Sequence, residues 1–129
     1  MKILLDSSVI IDSLRERRGR RELLRGWLEE GHELACCAIN VAEVYSGMRP
    51  HEAVATAELI DGLEYVDISR EAARDAGMLR LVWQRGGRTL SLPDALLGAV
   101  ALRSDLTLAT DNIRHFPMLH LKLLSLPGA

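Results

Sequence analysis

ILLDSSVIID, residues 3–12, opens on three aliphatic residues, breaks at an aspartate and continues in a pattern that suits a helix. So short an unbroken apolar run fits a strand covered on both faces better than the alternating pattern of a surface strand. A buried strand that passes directly into a helix starts a crossover unit, and here an acid stands at the junction. The same succession recurs downstream. Residues 34–38 form a second apolar run, 65–68 a third, 106–109 a fourth ending at Thr110 and Asp111, and 121–124 a weaker fifth. Helical patterns fill the intervals: 21–30, closed by Gly31 as its left-handed residue, then 41–47 behind Asn40, then 51–62. From Ser69 onward Ala72, Ala73, Ala76, Leu79 and Trp83 recur at helical spacing as far as Gly86, and Ser91 caps a last helix to about Arg103 with Pro93 in its first turn. Short strands alternating with helices predict an α/β fold, a three-layer α/β/α sandwich around a central parallel sheet.

With 129 residues, 48% hydrophobic and 26% charged, the chain is long enough to fold as one domain over 1–129 around its own core. A formal net charge of −2 excludes a global basic field, so any contact with nucleic acid must be local. The basic residues include only two lysines, Lys2 and Lys122, and five arginines crowd into RERRGRR, residues 15–21. That cluster reads either as a solvated helix end or, because it follows the helix beside Asp6, as a grip on phosphate. Cys36 and Cys37 have no further cysteine to pair with and read as small core residues in a reducing compartment. No signal-peptide pattern precedes Asp6 and no run of about 18 apolar residues is present, so a cytoplasmic protein without membrane contact is expected. Four scattered histidines without Cys–His spacing argue against zinc, and no glycine-rich stretch has phosphate-loop spacing.

Four acids share one kind of place. Asp6 and Asp111 follow strands, and Glu43 and Asp94 lie near the starts of helices. In an open parallel sheet ligands sit at the carboxyl ends of the strands, which puts these residues on one rim. Carboxylates drawn together repel and raise one another's pKa unless a cation neutralises them, and a hard divalent ion with oxygen ligands does so. The chemistry expected is metal-assisted phosphodiester hydrolysis. Each acid also has a plainer reading: Asp6 as a helix cap, Glu43 as capping-box partner of Asn40, Asp94 as an acid favoured at a helix N-terminus, Asp111 in a turn with Asn112.

The ordered set resembles the PIN-domain ribonucleases, and within them the VapC-type toxins of toxin–antitoxin pairs. ILLDSSVIID matches the family's first signature through Asp6, with Ser7 and Ser8 behind it; INVAEVYSG matches the second through Glu43, and LSLPDALLGAVAL the third through Asp94. LATDNIRHF resembles the fourth, where the family's residue stands two after the threonine, at Asn112, while the charge here is at Asp111. The resemblance implies a Mg²⁺- or Mn²⁺-dependent endoribonuclease with Asp6, Glu43, Asp94 and Asp111 as catalytic and metal-holding residues and Asn112 sharing the fourth position. Ser8 is expected to bond a ligand carboxylate or a metal-held water. The resemblance further implies an RNA substrate, a translation-inhibiting toxin, a homodimer, a VapB-like antitoxin lying across the site, and strand order 3-2-1-4-5.

Two other readings stay open. A noncatalytic RNA- or protein-binding domain of the same fold would keep the acid pocket without cleavage. A receiver-like domain also clusters aspartates over a parallel sheet, but it needs a late lysine, and neither Lys2 nor Lys122 is placed for that role. Trp83 and the Leu and Met residues near it are expected in the core or at a dimer face. Trp27 and Tyr45 are expected in the core or against an antitoxin rather than stacked on a base, with Phe116 anchoring its loop, His115 in solvent and Asp12 a surface charge.

Overall fold

The computed structural model of the chain describes residues 1–128. Five strands, β1 (Lys2–Leu5), β2 (Glu33–Cys37), β3 (Glu64–Val66), β4 (Thr107–Thr110) and β5 (Lys122–Ser125), pair in parallel throughout in the order β3-β2-β1-β4-β5. β1 is central, with Ile3 opposite Leu34 on one side and opposite Thr107 on the other. The connecting helices are α1 (Ser7–Leu14), α2 (Arg20–Glu29), α3 (Ala38–Ser46), α4 (Ala53–Gly62), α5 (Arg70–Arg85) and α6 (Leu92–Arg103).

The three-layer sandwich expected from the alternation is present, and the period of two along each strand builds it. Ile3, Leu5, Cys36 and Ala109 face a core made with Val9, Ile10, Leu24, Val44 and Ile60, from α1 to α4. Leu4, Cys37 and Leu108 point the other way, into a core with Ala72 and Ala76 of α5, Leu97 and Val100 of α6, and Phe116. Cys36 and Cys37 thus serve opposite cores, and burial pushes the Cys36 thiol up to about 11, which keeps it protonated and inert. Ile3, Leu4 and Leu5 are fully buried, each contributing about 1.5–3 kcal/mol. Trp83 is half-buried against the second core with the Arg88 guanidinium 4.5 Å above its ring, and Tyr45 is exposed.

Element ends shift by one to three residues from the expected ones, and the largest shift matters. The third helix begins at Ala38 with Cys37 as N-cap, so Asn40 lies inside the first turn instead of capping it, and its Oδ1 accepts from Cys37 N at 2.8 Å. The capping-box pairing of Asn40 with Glu43 is therefore replaced by one between Cys37 and Asn40. Gly31 is left-handed as expected, with φ +90°. No helix among the described residues is long and apolar enough to cross a membrane.

Candidate active site

β1 sends its connection to β2 on one side while β4 lies on its other side, so the sheet has its switch point over the carboxyl ends of β1 and β4. Asp6 stands in that crevice as N-cap of α1. Its backbone N donates to Ala109 O of β4 at 2.9 Å, and its Oδ1 accepts from Ser7 N at 2.8 Å. The other oxygen, Oδ2, accepts from the hydroxyl of fully buried Thr110 at 2.7 Å. Both carboxylate oxygens are thereby oriented, one by the first residue of α1 and one by the last of β4. Burial raises the pKa of Asp6; the Thr110 and Ser7 hydrogen bonds oppose the rise, and the nearby Asp94 and Glu43 charges add to it.

Glu43, on the second turn of α3, is held from α1: Ser7 Oγ donates to Glu43 Oε1 at 2.7 Å and accepts from Asn40 Nδ2 at 3.1 Å. Buried Asn40 thus connects the start of α3 to Ser7, and Ser7 to Glu43. The hydroxyl that bonds a carboxylate is that of Ser7, whereas Ser8 Oγ is buried with no hydrogen-bond partner among the described residues. Asp94 occupies the first turn of α6, where its N–H donates to Ser91 Oγ at 3.2 Å and its carboxylate lies near the positive end of the helix. His115, exposed as expected, also approaches this acid, with Nδ1 3.6 Å from Asp94 Oδ2.

Asp111 is differently engaged. Its Oδ1 accepts from Arg20 Nη2 at 2.6 Å, and Arg18 Nη1 lies 3.1 Å from Oδ2. The second contact is an ion pair without hydrogen-bond alignment, which leaves Oδ2 formally without a donor. Arg18 also lies 3.9 Å from Asp12, so that acid has a partner rather than only solvent. Asn112 is exposed, and its backbone N, at 2.9 Å, donates to Thr110 Oγ1. Glu43 and Asp94 therefore lie near enough to act on Asp6, while Asp111 belongs to the arginines.

The donor set suits a hard divalent ion: three acids offering only oxygen, one of them half-buried and destabilised first by that burial and further by the charges of the other two. Among the described residues no three side chains form a tight ligand cage, because Glu43 leans on Ser7 and Asp94 lies towards His115. A concavity of about 750 Å³ lies elsewhere, between α2 and α4, and none of the rim acids lines it.

Ser7, Asn40 and Arg20 are the site residues that sequence reasoning passed over. Arg20 carried a signal: it stands four residues before buried Leu24, in line with the apolar stripe of its helix.

A sequence profile of the family described as PIN domain matches residues 3–117. The chain is 34% identical to Ribonuclease VapC10 of Mycobacterium tuberculosis, over 90% of its own length and 86% of the relative's. It is 29% identical to Ribonuclease VapC19 of the same organism, over 89% and 92%. Among solved structures it resembles a toxin–antitoxin complex from Klebsiella pneumoniae, with TM-score 0.77 and 26% identity over 95% of this chain and 96% of that one. VapBC2 from Rickettsia felis bound to a DNA fragment from their promoter shares the fold, with TM-score 0.81 and 20% identity over 98% and 100%.

Proposed function

The chain belongs to the PIN-domain family and, within it, to the VapC ribonuclease toxins, metal-dependent nucleases neutralised by an antitoxin; from that premise we propose a Mg²⁺- or Mn²⁺-dependent endoribonuclease in which Asp6, Glu43 and Asp94 hold the ion. The observation that carries this reading is geometric: Thr110 of β4 and Ser7 hold Asp6 at the end of β1, and the same Ser7 holds Glu43 beside it, which gathers acids from distant segments on one rim. Such a cluster is held at its own cost and is relieved by a cation.

A divalent ion bound there supplies an acidified water and neutralises charge on the phosphate. The chain's part is orientation. Thr110 and Ser7 fix both oxygens of Asp6, Ser7 fixes one oxygen of Glu43, and the α6 N-terminus stabilises the Asp94 anion. Preset carboxylates need no rearrangement when substrate arrives.

The partners follow the same reading. Met78, Leu81 and Val82 form an exposed stripe on α5 that suits a second copy in a homodimer. The concavity between α2 and α4 has a leucine floor, Arg21 and Arg25 on one wall and Glu58 on the other, which suits an amphipathic segment of a VapB-like antitoxin. The whole of 1–129 then acts as one cytoplasmic nuclease domain.

The test is cleavage of a fluorescent RNA by protein freed of antitoxin. Cuts that require Mg²⁺ or Mn²⁺ and vanish in Asp6→Asn support the enzyme. Equal cutting by both proteins rejects the site, and RNA binding without any cutting selects the noncatalytic reading.

A further inference from the structure

Arg20 is the largest fully buried side chain among the described residues. Its guanidinium donates from Nη2 to Asp111 Oδ1 and to Pro127 O at 2.6 and 2.9 Å, and from Nη1 to Arg18 O at 3.1 Å. A buried guanidinium needs a counter-charge, and Asp111 is the carboxylate that supplies it. With Arg18 on its other oxygen, Asp111 meets a cation as an already neutralised group.

The chain between α1 and α2 explains what this pair holds. Glu16, Arg18 and Gly19 are left-handed, with φ of 53°, 58° and 68°, and two of the three have side chains that disfavour that region. Ties at either side keep the shape: Arg15 to Glu52 and Gly47 O, and Arg20 to Asp111. Four arginines of RERRGRR are thus spoken for, since Arg18 pairs with Asp111 and Arg21 with Glu16. Arg17 is exposed and has no carboxylate in ion-pair range among the described residues. Asp111 directly follows Thr110, whose hydroxyl holds Asp6, so the loop is fastened beside the acid rim.

Building on the ribonuclease reading, we propose that Asp111 is a positioning residue and not a metal ligand: its ion pairs with Arg20 and Arg18 latch the arginine loop beside the rim so that unpartnered Arg17 contacts an RNA phosphate. The loop then reads no base; it sets the register of the backbone.

Two measurements on the full chain test this without relying on turnover. Mn²⁺ binding by calorimetry should be the same within about twofold for the native protein and Asp111→Asn, whereas Glu43→Gln should lose about tenfold or more. Binding of a labelled single-stranded RNA, followed by anisotropy in EDTA, should weaken about fivefold in Arg17→Ala, and the slope of log affinity against log salt should fall by roughly 0.7, one phosphate contact. Asp111→Asn should weaken RNA binding similarly, and Arg17→Ala added to it should change little further. Arg17→Ala removes an exposed side chain, so the RNA measurement stands even if Asp111→Asn folds poorly; in that case an unchanged salt slope decides against the proposal. Loss of Mn²⁺ in Asp111→Asn to the extent seen in Glu43→Gln would make Asp111 a ligand and overturn the latch. Normal RNA binding without metal-dependent cleavage would instead remove the ribonuclease reading and leave the latch in place.

Discussion

The Thr110 hydroxyl donates to Asp6 Oδ2 at 2.7 Å, joining residues 104 apart in the chain across the central pair of strands. Thr110 is fully buried and accepts in turn from Asn112 N, so its hydroxyl has no freedom to turn away. The pair turns the end of β4 into a support for an acid at the end of β1.

Thr110→Val keeps the shape and removes the donor. A hydrogen bond to a charged group contributes about 1.5–3 kcal/mol, and loss of that order is expected in urea unfolding. The Asp6 pKa should rise further, because the hydrogen bond opposes the effect of burial. Mn²⁺ affinity should drop as well, because Asp6 loses the bond that orients one of its oxygens. Unchanged stability and metal affinity would mean that the bond does not orient Asp6.

Asp6→Asn should raise stability while abolishing cleavage. The folded-state pKa of Asp6 lies above its ordinary value, so the fold favours the protonated form. Its contribution is complete below the unfolded pKa and is lost as pH rises through the folded one. At pH 7 without metal the asparagine protein should melt higher, by roughly 4 °C for each kcal/mol relieved in a chain of this length. The difference should shrink as pH falls below about 4. Excess Mn²⁺ should stabilise only the native protein. Coincident melting curves at pH 7 would contradict the strain assigned to this carboxylate.

The two adjacent serines predict opposite outcomes. Ser7→Ala removes the donor to Glu43 and leaves buried Asn40 Nδ2 without its acceptor, a loss of about 1–3 kcal/mol. Ser8 Oγ is buried and unpaired, so Ser8→Ala removes an unsatisfied group and should be neutral or slightly stabilising. Cleavage should fall in the first variant and persist in the second. Chemical denaturation of both proteins checks the order, and a reversed order would return the supporting role to Ser8.

The contrast shows where sequence reading stops. Uninterrupted runs such as Ile3 to Leu5, separated by helical patterns, carry the parallel sheet and its layers, because burial on both faces leaves a local signature. The acids at strand ends and helix starts are legible for the same reason. Which of two neighbouring serines faces Glu43 is not, since they differ by about 100° around α1 and the choice depends on where α3 packs. Asn40 misleads because asparagine suits both a cap and the third position of a first turn, and no Ser, Thr or Asp precedes it to mark the earlier start at Ala38. The Arg20 and Asp111 pairing spans 91 residues, and the only local hint of it is the place of Arg20 four residues before Leu24, which marks a buried position but not its partner.

The opposite anchor of the arginine loop gives a prediction in acid. Arg15 Nε donates to Glu52 Oε2 at 3.1 Å, and Arg49 N donates to Glu52 Oε1 at 2.8 Å. The Arg15 hydrogen bond, followed by the Arg49 backbone bond, lowers the Glu52 pKa to about 2. A depressed folded pKa stabilises the protein above the unfolded value and loses that effect as pH falls through the folded one, so the window runs from about 4.3 down to about 2. Glu52→Gln should be less stable than the native protein at pH 6, and the two unfolding midpoints should converge as pH approaches 2. Arg15→Gln should reproduce the convergence, because it removes the main cause of the shift from the other side. A native-to-Glu52→Gln difference that stays constant from pH 6 to pH 2 would show that the loop is held at this end by packing and not by the ion pair.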